Sequence, residues 1–129
     1  MVAADTNVVV RFLTGDDPEQ YQKACQLFKQ EIVFLPNTVL LETAWVLRHA
    51  YNFDKDMIVI AFHKFLGLPN IQIHEPQLFK NALDWIDDGL DFADALHLAF
   101  SQEVDILYTF DQNFSKRSNN KGDCSVKIL

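Results

Sequence analysis

Asp5, Glu42, Asp94 and Asp111 are the residues best placed to do chemistry, each lying in apolar or strand-end surroundings. Carboxylates of this kind suit a hard divalent cation. Mg2+ or Mn2+ takes oxygen ligands and keeps several waters, so a few acids suffice. Asp94 makes the case most sharply. It lies in "DFADALHLAF", residues 91–100, which reads as a helix apolar on nearly every side. Asp91 directly precedes that helix and is the better N-cap. Helical spacing then sets Asp94, His97 and Ser101 on one polar stripe. A buried carboxylate without a partner is strongly disfavoured, and a metal ion would be one partner. The alternative makes Asp94 a partner of the helix dipole.

Glu42 sits in "TVLLETAWVL" among Leu40, Leu41, Ala44, Trp45, Val46 and Leu47. A capping box does not fit, because Val39 occupies the position where Ser or Thr would be needed. A solvent-facing Glu is the remaining alternative. Asp5 has the alternative of a turn residue after a strand, and Asp111 that of a cap for "QNFSK". Competing chemistries lack their motifs. There is no GxGxxG, GxxxxGK, HExxH or GxSxG, and no CxxC. His49, His63, His74 and His97 show no zinc-type spacing, and His97 reads as a hydrogen-bonded core histidine.

These residues need a scaffold. "MVAAD" reads as a short buried strand ending at an acid, and "IVFLP" as a second buried strand. "IQIHE", "DILYTF" and "SVKIL" supply three more. Between them, Asp17 and Pro18 open a helix, and further helices are expected over about 38–51, 54–66 and from Pro76 to Gly89. Strands alternating with helices predict an α/β fold whose central, mostly parallel sheet is covered on both faces. Function in such sheets gathers beyond the carboxyl ends of the strands, where strand order reverses. Asp5 ends the first strand and Asp111 the fourth. If those strands are neighbours, their carboxylates converge.

The 129 residues are expected to form a single domain spanning 1–129. A net charge of -7 argues against a protein that coats nucleic acid generally. It leaves room for a local site where cations offset carboxylates. Cys25 and Cys124 are too few for a disulfide framework, and Cys25 reads as a small buried thiol. No basic segment leads into an apolar run, and no apolar stretch reaches the roughly 20 residues of a membrane span. A soluble, cytoplasmic protein without membrane association is expected.

With "DTNVVVRFL", "LLETAWVL", "DFADALHLA" and "TFDQNF" in that order, the chain resembles the PIN-domain family, specifically its VapC-type toxins of toxin–antitoxin pairs. The resemblance runs from Val2 to about Leu129. It implies a three-layer fold with about five mostly parallel strands flanked by helices, and an Mg2+- or Mn2+-dependent RNA endonuclease. Position by position, it makes Asp5, Glu42, Asp94 and Asp111 the catalytic, metal-holding acids. Asn7 matches a polar residue beside the first acid, and Thr109 a small hydroxyl residue near the last. Many relatives carry a further acid where this chain has Asn113, which leaves one-metal and two-metal chemistry both open. The implied partners are an RNA substrate, a cognate antitoxin protein, operator DNA through the antitoxin complex, and a second copy in a homodimer. Arg11, Lys116, Arg117 and Lys121 are candidates for RNA contact, each with the alternative of a solvated surface charge. Two other classes stay open: a toxin-like regulatory subunit with little nuclease activity, and an aspartyl-phosphate phosphohydrolase, for which "DTN" lacks the usual second acid.

Overall fold

The computed structural model describes residues 1–129 and divides them into two compact units, Met1–His74 and Glu75–Leu129. The first unit runs β1 (Val2–Ala3), α1 (Thr6–Thr14), α2 (Pro18–Gln30), β2 (Val33–Leu35), α3 (Asn37–Ala50), α4 (Lys55–Leu66) and β3 (Ile71–Ile73). The second runs α5 (Pro76–Asp87), α6 (Phe92–Ala99), β4 (Ile106–Thr109), α7 (Gln112–Arg117) and β5 (Ser125–Ile128). No helix is long and apolar enough to cross a membrane.

The expected α/β alternation and the five parallel strands are present, hydrogen-bonded as a sheet of three and a sheet of two. β2 is the middle strand of the first sheet, with Val33 opposite Val2 and Ile71. Its Val33 and Leu35 are fully buried. β1, expected to be buried, is a two-residue edge strand with both residues exposed. The reason is its position in the ladder, since only β2 in that sheet has a strand on each side. In the second sheet, β4 and β5 pair from Ile106 and Ser125 to Thr109 and Ile128.

Helix starts follow local capping chemistry. The Asp17 carboxylate accepts from the Gln20 N–H at 3.0 Å, and Asp54 accepts from Met57 at 2.8 Å. Pro18 and Pro76 take first-turn positions where a missing N–H costs nothing. Helix α1 is not expected from the sequence, because Val8, Val9 and Val10 favour a strand. Packing and the C-terminal Gly15, more than the N-cap, override that preference. Asp5 caps the start, and Gly15 closes the other end at φ 63 with its N–H on the Arg11 carbonyl at 2.9 Å. Burial of Val9 and Val10 then rewards the helical face.

The first unit packs α1 on α2 and α3, and its core holds a ring cluster. Phe28 meets Phe12 edge-on at 4.9 Å and Phe65 at 5.3 Å. In the second unit α5 packs along α6, with Phe79, Leu83 and Leu98 fully buried or nearly so. The segment before β5 is bolted to the end of α6 by Gln102. That side chain donates to the Leu98 carbonyl at 2.9 Å and accepts from the Asp123 N–H at 2.6 Å. Gly122, at φ 73, lies against the Gln102 amide so closely that a Cβ would collide with it.

Candidate active site

Asp5 leaves β1 and caps α1, its Oδ1 accepting from the Val8 N–H at 3.4 Å. The side chain is exposed. Asn7 follows in the first turn, also exposed, and borders a groove of about 450 Å3 between α1 and α2. Glu42 stands on α3, whose buried face is Leu40, Thr43, Ala44 and Leu47. Glu42 itself is exposed. The apolar residues that flank it in sequence fall on other sides of the helix, so the solvent-facing alternative describes its surroundings.

In the second unit, Asp91 holds the N-cap position of α6 and its carbonyl accepts from the Ala95 N–H at 2.9 Å. Asp94 lies in the first turn and is half-buried. His97 is exposed, not a core histidine, because α6 buries the Ala95, Leu96, Leu98 and Ala99 face. Asp111 leaves β4 and caps α7, its Oδ1 accepting from Asn113 at 2.9 Å and Phe114 at 3.1 Å. Thr109 sets that geometry from the other direction, since its hydroxyl accepts from the Asp111 N–H at 3.0 Å. Asn113 is exposed and engages Asp111 through its backbone.

The basic candidates divide. The Arg11 guanidinium donates to both Asp16 oxygens at 3.0 and 3.1 Å, to Gln20 at 2.7 Å and to the Tyr51 hydroxyl at 3.0 Å. Tyr51 in turn donates to Asp16 at 2.5 Å, and Thr14 does so at 3.0 Å. The Tyr51 hydrogen bond, followed by those of Thr14 and the charge of Arg11, holds the Asp16 carboxyl below its usual range against an opposing desolvation. Arg11 therefore braces the end of α1. Lys121 reaches Asp88 at 3.8 Å. Lys116 and Arg117 are exposed in the last turn of α7, Arg117 also donating from its guanidinium to the Gly89 carbonyl at 3.4 Å.

The sequence profile of the PIN domain matches residues 2–120. This chain belongs to the PIN-domain family. A crystal structure of VapC20 from Mycobacterium tuberculosis, a sarcin–ricin loop cleaving toxin, is 21% identical. The alignment covers 90% of this chain and 94% of that one, with a TM-score of 0.44. No match is found among curated proteins.

As a PIN domain, the chain distributes its four acids two to each unit, Asp5 and Glu42 in the first, Asp94 and Asp111 in the second. Neither unit alone gathers three or more His, Cys, Asp or Glu side chains into a metal-holding group. The donor chemistry nevertheless suits a hard divalent cation. Asp5 and Asp111 each commit Oδ1 to backbone N–H groups and keep Oδ2 open, and every donor is a carboxylate oxygen. Cys25 is half-buried where a buried thiol is expected, and Cys124 is buried. Sequence reasoning missed Tyr51, which closes the Arg11–Asp16 network from 35 residues downstream of Asp16. No local signal in the chain announces that contact.

Proposed function

We propose that this chain is a metal-dependent endoribonuclease, acting as the toxin of a type II toxin–antitoxin pair. The observation that carries the reading is the membership in the PIN-domain family together with the strand–Asp–helix arrangement repeated at Asp5 and Asp111. Each of these aspartates is fixed by a helix N-terminus through one oxygen and offers the other. Asp5, Glu42, Asp94 and Asp111 would hold Mg2+ or Mn2+, with residues 1–129 working as one domain. The bound ion supplies Lewis-acid chemistry, lowering the pKa of water and offsetting charge on a phosphodiester. The protein's own contribution is orientation. Thr109 and the α7 N–H groups fix Asp111, the α1 N-terminus fixes Asp5, and a carboxylate oxygen of these acids that is left off the ion would take a proton from the attacking water. Asn7 and Asn113 line the approach as neutral hydrogen-bonding groups. Among the basic residues, Lys116 and Arg117 contact the RNA backbone, and Arg11 supports α1.

In this reading the protein works in the cytoplasm as a homodimer. A cognate antitoxin silences it, and operator DNA is reached only through that complex. The purified chain should cut single-stranded RNA when Mg2+ or Mn2+ is present and stop when a chelator is added. Cleavage that persists in chelator, or an RNA left intact with either ion, would sink the proposal. Growth arrest on expression, relieved by co-expressing a small protein if one is encoded directly upstream, tests the toxin assignment separately.

A further inference from the structure

Helix α3 turns an aromatic residue outward beside Glu42. Trp45 is 62% exposed on a helix whose opposite face is fully packed. Its ring lies 4.8 Å from that of His49, tilted by 43°, so the indole is braced by a second flat ring one turn further on. Thr38, Glu42, Arg48 and His49 are exposed around it on the same helix, with half-buried Leu41 one turn earlier as the apolar neighbour. Leaving a large apolar ring in water is unfavourable, and it invites a flat ligand. The polar surroundings argue for that ligand over a second copy, because copy-to-copy interfaces place their aromatics in an apolar centre. Position narrows the choice further. Trp45 follows Glu42 by three residues, about 4.5 Å along the helix axis, so a phosphate attended by Glu42 would bring its own nucleotide to the indole.

We propose that Trp45 is a stacking platform for one nucleobase of the RNA, positioned next to the bond that is cut. This rests on the ribonuclease reading for the substrate class, but it is tested by binding rather than cleavage. Trp45 is a positioning residue: it grips the base and leaves bond breaking to the acids. Stacking of this kind tolerates any base with an aromatic face, so Trp45 would set where the strand lies and other groups would select sequence.

The test uses the full chain carrying Asp5→Asn, which keeps an N-cap and blocks turnover, titrated with a short single-stranded RNA. The fluorescence change attributable to Trp45 is isolated by subtracting the same titration with Trp45→Phe, since the chain has only two tryptophans. RNA should quench Trp45, and an otherwise identical strand abasic at one nucleotide should not when the gap falls at the platform. Trp45→Ala should weaken binding roughly 10- to 100-fold, with Trp45→Phe retaining most of it. With the acids intact, Trp45→Ala should raise KM more than it lowers kcat. Unquenched fluorescence on binding, or equal affinity for Trp45→Ala, overturns the platform. So does a Trp45→Ala chain that becomes monomeric by sedimentation while binding RNA as before, which would assign the ring to a second copy. Quenching by RNA in a chain that never cleaves would keep the platform and overturn the nuclease reading.

Discussion

The two strand-end aspartates show how one local device can be tuned differently in the two units. Asp5 caps the nine-residue α1 through one long hydrogen bond of 3.4 Å. Asp111 caps the six-residue α7 through two bonds of 2.9 and 3.1 Å, and its own N–H is pinned by Thr109. A helix of nine residues secured by Gly15 and by the packed Val9 and Val10 depends little on its cap. A helix of fewer than two turns depends on it heavily, because nucleation must be supplied from outside. Under the proposed function, the same residue type would serve mainly chemistry at Asp5, and chemistry plus architecture at Asp111.

The sharpest way to break this contrast is by activity. Asp5→Asn should lower metal-stimulated RNA cleavage on the order of 100-fold or more, with an unfolding midpoint close to that of the wild type. A large loss of stability in that variant would refute the claim that its cap is dispensable. Next in size, Asp111→Ala should cost about 1–2 kcal/mol in urea unfolding and Asp5→Ala about 0.5 kcal/mol. Equal costs would erase the distinction. Gln102→Ala should cost about 1 kcal/mol through the amides it leaves without a partner. Hydrogen exchange should then quicken at Asp123, leaving the amides of α1 unchanged. The smallest effect is a pH dependence confined to the first unit. The folded state lowers the Asp16 carboxyl, so its stabilisation is complete above the ordinary carboxylate range and is lost as pH falls through the depressed value. Acid unfolding followed at residues of α1 should shift in Asp16→Asn, while probes in α7 should not move.

Much of this was readable from the chain because capping chemistry is local. Asp17 with Pro18, Asp54 and Pro76 announce helix starts that fall within a residue of those observed. α1 was hidden because its three valines speak for a strand, and only the Asp5 and Gly15 ends contradict them. The four acids stand out by type and order, but the surroundings of Glu42 and His97 do not follow from their sequence neighbours. Glu42 looked apolar because sequence neighbours on a helix point in different directions, and His97 looked buried for the same reason. Arg11 looked available because Tyr51, which helps hold it, is 40 residues away in the chain.

The close approach of Gly122 to Gln102 has an evolutionary reading. A side chain at 122 would be strained by the left-handed φ of 73 and would fit only if the Gln102 amide swung away, giving up the hydrogen bonds that hold the segment before β5. Glycine should therefore persist at 122 whatever stands at 102 wherever this turn is kept, a pattern that a deep set of related sequences would expose.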